Sequence, residues 1–85
     1  MTLLLAFDST HLAIASEKKA KAEGLSARLV PTPESISASC GLSLRVRDGD
    51  VAWAKGFLSD KEKEDAQLFE ISTEDHKKSY QKISW

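Results

Sequence analysis

Apolar residues crowd the start of the chain. Leu3-Leu4-Leu5-Ala6-Phe7 is an unbroken run that stops at Asp8-Ser9-Thr10. A continuous apolar segment this short, closed by polar residues, predicts a buried strand. Ser9 or Thr10 can cap a following helix, because a side-chain oxygen accepts from the orphan N–H groups of a first turn. That helix runs to about Glu23, with Ala13, Ile14 and Ala20 on a thin apolar face and Lys18, Lys19 and Lys21 toward its C-terminal end. Gly24 and Leu25 fit a Schellman stop, which wants glycine in the left-handed region followed by an apolar residue.

Residues 26–30 (SARLV) alternate polar and apolar as a half-exposed strand does, and Pro31-Thr32-Pro33 ends them. Thr32 and Pro33 suit the start of one short turn through Ile36. Residues 42–46 (LSLRV) alternate again, with Leu42, Leu44 and Val46 inward and Ser43 and Arg45 outward. Asp48-Gly49-Asp50 reads as a turn and cap. A second helix then covers about 50–59, where Trp53 and Phe57 pair at i, i+4. Residues 60–65 (DKEKED) read as a solvated loop and 68–72 as a strand with Phe69 and Ile71 inward. A turn at 73–76 leads to a last extended piece, 79–85.

The order β-α-β-β-α-β is that of the ferredoxin-like split βαβ unit, an α+β fold. Residues 1–72 form its single domain, and 73–85 add a turn and an edge strand or tail. Two helices would cover one face of the sheet. Little chain is left for the other, so a homodimer through that face is an expectation.

Charge excludes some classes of function. Across 85 residues the formal net charge is −1, with both signs interspersed, against the basic excess of a nucleic-acid binder. No apolar run approaches the ~20 residues of a membrane span. The opening run lacks a signal peptide's basic start and small-residue cleavage site. A cytoplasmic location is expected, and the single cysteine suits a reducing compartment.

That cysteine, Cys40, is the candidate chemistry. It lies in residues 31–44 (PTPESISASCGLSL), which hold both prolines and four serines. One thiol makes no internal disulfide and no cysteine cluster for a metal, and His11 and His76 add no zinc-type spacing. Cys40 is either a small buried apolar residue or the reactive atom. The connection 31–41 is long for a hairpin, which needs two to five residues. In a split βαβ unit the first two strands are parallel, so this connection should face Asp8, Ser9, Thr10 and His11 at the first helix's start. A helix N-terminus lowers a thiol's pKa from its usual value of about 8.5. Gly41 would leave backbone N–H groups open to an anion. Ser35, Ser37 and Ser39 offer hydroxyls, and His11 a proton relay.

Phe7, Ser9-Thr10-His11, Glu17, Pro31-Thr32-Pro33 and Ile36-Ser37-Ala38-Ser39-Cys40-Gly41 resemble the pattern of small bacterial proteins grouped as selenium/sulfur carrier protein-like. The resemblance covers roughly residues 3–60. One departure is Glu34, where a basic residue would be expected. The resemblance implies a carrier that holds sulfur or selenium on Cys40, and the expected placement of the connection sets Ser9, Thr10, Ser37, Ser39 and Gly41 around the cargo. It also implies donor and acceptor proteins of sulfur or selenium metabolism, and no cofactor beyond the carried atom. Two other readings stand beside it. One is a ligand-binding or protein-interaction regulatory domain in which Cys40 is structural. The other is a stand-alone thiol enzyme, for which only His11 and Asp8 could serve as base and orienting group.

Overall fold

A computed structural model describes residues 2–36, 41–47 and 49–85. The opening apolar run is a strand as expected: β1 spans Leu3–Phe7, and all of it is buried. α1 (Thr10–Ala22), β2 (Ala27–Pro31), β3 (Leu42–Val46), α2 (Val51–Phe57), α3 (Asp60–Lys63), β4 (Ala66–Glu74) and β5 (Lys77–Ile83) follow. The five strands form one antiparallel sheet in the order β2-β3-β1-β4-β5. β1 and β2 both pair antiparallel with β3, which lies between them, so they run in the same direction. The chain is a small α+β protein. A third helix and a fifth strand make its arrangement differ from the simple six-element unit.

Register decides which face each side chain serves. Leu5 lies opposite Leu44 on β3 and Leu68 on β4, and Leu3 opposite Val46. These residues share a core with Ala13 and Ala20 of α1 and with Ala54, Phe57 and Leu58 of the α2 region. The alternate positions Leu4 and Ala6 point to the other face, where they meet Phe69, Val30, Ile36, Ile71 and Tyr80. Phe69 and Ile71 do point inward, but into the cluster on the face opposite the helices, while Leu68 enters the helix-side core. Ile14 is corrected, being 40% exposed. Ser16 is buried on α1 in its stead. A small side chain there lets the helix lie close to the sheet.

Local signals set the ends of α1. The Ser9 hydroxyl accepts from the Leu12 amide at 3.3 Å. At the other end Gly24 has φ +82°, Leu25 N–H donates to Ala20 C=O and Gly24 N–H to Lys21 C=O. Those are the two bonds of a Schellman stop. Lys19 reaches from α1 to the end of α2, donating to the Phe57 carbonyl at 2.8 Å with its ammonium 4.7 Å from that ring's centre. Trp53 and Phe57 lie 4.7 Å apart between ring centres, as their spacing implies.

Residues 60–65 are not simply a loop. Ser59 and Glu62 form a reciprocal capping box, and one turn of helix follows. β4 and β5 make a hairpin turning through Asp75 and His76, both at positive φ. The tail is thus part of the sheet. Ile83 and Trp85 join the helix-side core, and Trp85 Nε1 donates to the Ala66 carbonyl at 3.1 Å.

β2 is an edge strand, and α1 covers that edge. The Leu29 N–H, turned out of the ladder, donates to Glu17 Oε2 at 3.2 Å, while Lys21 sits 3.5 Å from the same oxygen. Pro31 has the same parity as Leu29, so its missing N–H takes nothing from the sheet. Replacing Glu17 with alanine is expected to cost about 1–2 kcal/mol in urea denaturation and to speed hydrogen exchange at Leu29, whereas Glu17→Gln retains most of the protection. Unchanged exchange at Leu29 in Glu17→Ala would contradict this role.

The Ser59 backbone N–H, and then its hydroxyl, hold the Glu62 carboxyl below the usual glutamate range. A depressed folded-state pKa stabilises the fold above the ordinary glutamate value, and that contribution disappears as pH falls through the lowered one. Ser59 amide protection should therefore fall through that acid window in the natural chain and stay flat in Glu62→Gln. Equal pH profiles for the two proteins would refute the assignment.

Candidate functional site

The ends of β1 and β2 define one edge of the sheet, and α1 begins there. β1 stops at Phe7. Asp8 N–H donates to the Asp65 carbonyl at 2.8 Å, which pins the entry to α1 against the start of β4. Ser9 caps the helix, and Thr10 and His11 are exposed in its first turn. β2 stops at Pro31 on the same edge, and β3 leaves it at Leu42, opposite both Phe7 and Pro31.

The connection between β2 and β3 is fastened at both ends. Thr32 N–H donates to the Gly41 carbonyl at 3.0 Å, which extends the β2–β3 ladder by one pair. The Thr32 hydroxyl lies 2.7 Å from the Ser43 hydroxyl. Ser43 is fully buried, against the outward position its alternation implied. That bond satisfies a polar group which would otherwise cost about 1–3 kcal/mol unmade. Gly41 has a packing reason. A Cβ there would stand 3.2 Å from the Phe7 carbonyl oxygen and 3.2 Å from Thr32 Oγ1.

Pro33 to Ile36 make the expected turn, with Ile36 N–H on the Pro33 carbonyl at 3.0 Å. Ile36 packs with Leu4, Ala6 and Phe69. This first part of the connection therefore lies against the face opposite α1, a direction that topology alone did not give. Glu34 and Ser35 are exposed.

Of the candidate residues, Ser9, Thr10, His11 and Gly41 are described; Cys40, Ser37 and Ser39 lie outside the described residues. Gly41 and Ser9 meet the same short piece of chain, since Gly41 packs on Phe7 and Ser9 follows two residues later. Among the described residues, no hydrogen bond joins Ser9, Thr10 or His11 to Thr32–Ile36 or Gly41. Two residues that shape this edge were given no such role from sequence. Ser43 alternates as a surface residue would, and Thr32 figured in a turn and in the resemblance but not as a partner of Ser43. Glu17 figured in the resemblance and turns out to guard the edge of β2.

Among the described residues, no group of three His, Cys, Asp or Glu side chains is placed to hold a metal. None of their helices is long and apolar enough to cross a membrane.

No curated protein and no solved structure matches the chain significantly. A family model does, that of the family described as "Putative Se/S carrier protein-like", over residues 2–70. The match spans β1 through most of β4 and takes in the fastened β2–β3 connection. The chain belongs to that family.

Proposed function

We propose that the protein is a sulfur or selenium carrier that holds its cargo on Cys40. The observation that carries this reading is the family match across residues 2–70, which includes the only cysteine. Further support comes from the chain on either side of that cysteine. Thr32 and Gly41 tie the connection to the edge where α1 starts, and a thiolate is favoured near a helix N-terminus. We read the architecture as a ferredoxin-like split βαβ extended by β5. The parallel direction of β1 and β2 around β3 supports that reading.

In the proposed reaction the Cys40 thiolate attacks the terminal sulfur of a donor protein's persulfide. A sulfur–sulfur bond forms at Cys40, the donor's breaks, and the donor departs as a thiolate. Selenium follows the same exchange from a donor selenosulfide. An acceptor thiolate then takes the atom and leaves Cys40 as a thiolate again. Ser37, Ser39 and Gly41 would supply hydrogen bonds to the charged cargo, with Thr10 at the same edge. Ser9 Oγ accepts from Leu12, which leaves its own proton to donate. His11, exposed on the first turn of α1, would relay a proton. Donor and acceptor proteins are the partners, the carried atom is the only cofactor, and the cytoplasm is the compartment that keeps such a thiol reduced.

Alkylation tests the reading. Cys40 in the folded protein is expected to react with iodoacetamide near neutral pH faster than a cysteine in an unstructured peptide. Incubation with a persulfide or selenosulfide donor should add the mass of one sulfur or selenium atom, and Cys40→Ser should abolish the gain. Labelling that appears only after denaturation, with no mass gain, would overturn it.

A further inference from the structure

The described strand residues of the sheet face opposite the helices carry charge of one sign. Arg28 on β2 and Arg45 on β3 are direct cross-strand partners. Like charges placed opposite each other on one face destabilise a strand pair. Arg47 follows Arg45 at the same parity, and its N–H bonds the Ser26 carbonyl, which prolongs the pair. The other charged positions of this face are Lys78 and Lys82, on β5. Glu70 lies opposite Leu3, and so on the helix side. A net charge of −1 thus conceals a sheet face whose described charged strand residues are all cationic; the turn laid against that face adds the exposed Glu34.

The arginines converge on a cleft at the β2 edge. Its volume is about 290 Å³, and Lys21, Leu25, Ser26, Ala27, Arg28, Arg45 and Arg47 line it. No carboxylate stands among these residues. Ala27 has the parity of Leu29, whose N–H points out of the ladder, so the Ala27 amide is directed outward here as well. Arg45 is half-buried, which limits how far water can screen it from Arg28.

We propose that this cleft binds a small molecule bearing a multiply charged oxyanion, such as a phosphate or diphosphate group. An anion between Arg28 and Arg45 turns their repulsion into attraction, and guanidinium groups match such oxygens with paired, charge-assisted hydrogen bonds. Ala27 N–H and the Ser26 hydroxyl supply neutral donors at the rim. The cleft lies at the start of β2, and the Cys40 connection leaves from the end of that strand. The proposal therefore stands apart from the carrier reading. The same charge opposes two copies pairing through this face.

The test is an amide NMR titration of the whole protein with pyrophosphate, set against sodium chloride at matched ionic strength. Saturating shifts are expected at Ser26, Ala27, Arg28, Arg45 and Arg47, unchanged in Cys40→Ser and Lys82→Gln. Arg28→Gln and Arg45→Gln should each weaken binding about tenfold or more. Without ligand, both variants should melt at the same or a higher temperature than the natural chain, because each removes the like-charge pair. Non-saturating shifts spread over the surface lysines would overturn the proposal. So would equal losses in Lys82→Gln and Arg45→Gln, or preferential binding of an oligonucleotide centred on Phe69 and Tyr80. Failure of persulfide loading with intact pyrophosphate binding would refute the carrier reading alone.

Discussion

β1 must be covered on both faces, and the rest of the molecule follows from that. Leu3, Leu5 and Phe7 point one way and Leu4 and Ala6 the other, and every one of them is buried. Burying a large aliphatic side chain is worth about 1.5–3 kcal/mol, so neither set can be left to water in a chain this short. α1 and α2 close one side. Among the described residues, no helix covers the other side. Its cover comes from Phe69 and Ile71 of β4, Tyr80 of β5, Val30 of β2, and Ile36 in the connection after β2.

This constraint accounts for the length of that connection. A hairpin of a few residues would join β2 to β3 but leave Leu4 and Ala6 without Ile36. The longer path dips over the open face through Pro33–Ile36 and returns to the ladder at Gly41, where the Thr32 N–H holds the Gly41 carbonyl and the Thr32 and Ser43 hydroxyls bond beside it. The segment that bears the cysteine is thus held at both ends by core packing. A carrier benefits from such an arrangement, because a thiol on a fastened segment can be offered to a partner without loosening the fold. The cationic cleft lies at the far end of β2, so the two proposed sites share a strand and not a surface.

Features that depend on neighbours in sequence were legible from the chain itself. The run Leu3–Phe7, the Ser9 cap, the Gly24 stop and the Trp53–Phe57 pair all follow from local spacing. The capping box of Ser59 and Glu62 was equally local, but its mixed charge resembles a loop and its helix is one turn long. What failed to show was non-local. Period-two alternation says which residues share a face but not which face meets the helices, so the inward direction of Phe69 and Ile71 was legible and their side of the sheet was not. Ser43 is buried only because Thr32, eleven positions away, supplies a partner. Charge segregation was hidden for the same reason, since Arg28 and Arg45 become neighbours only through the β2–β3 register. At the candidate site, parallel β1 and β2 and their shared edge could be reasoned from topology, while the turn of the connection toward the open face could not.

We propose that the carrier thiol is presented at the edge where α1 begins. A nitroxide attached to Cys40 tests it through the broadening of nearby amide signals in the folded protein. The strongest broadening is expected at Ser9, Thr10, His11 and Gly41, with the Asp75–His76 turn and the Arg28–Arg45 cleft unaffected. Broadening centred on Ile71 and Tyr80, with the first turn of α1 sharp, would place the thiol over the open face and contradict it.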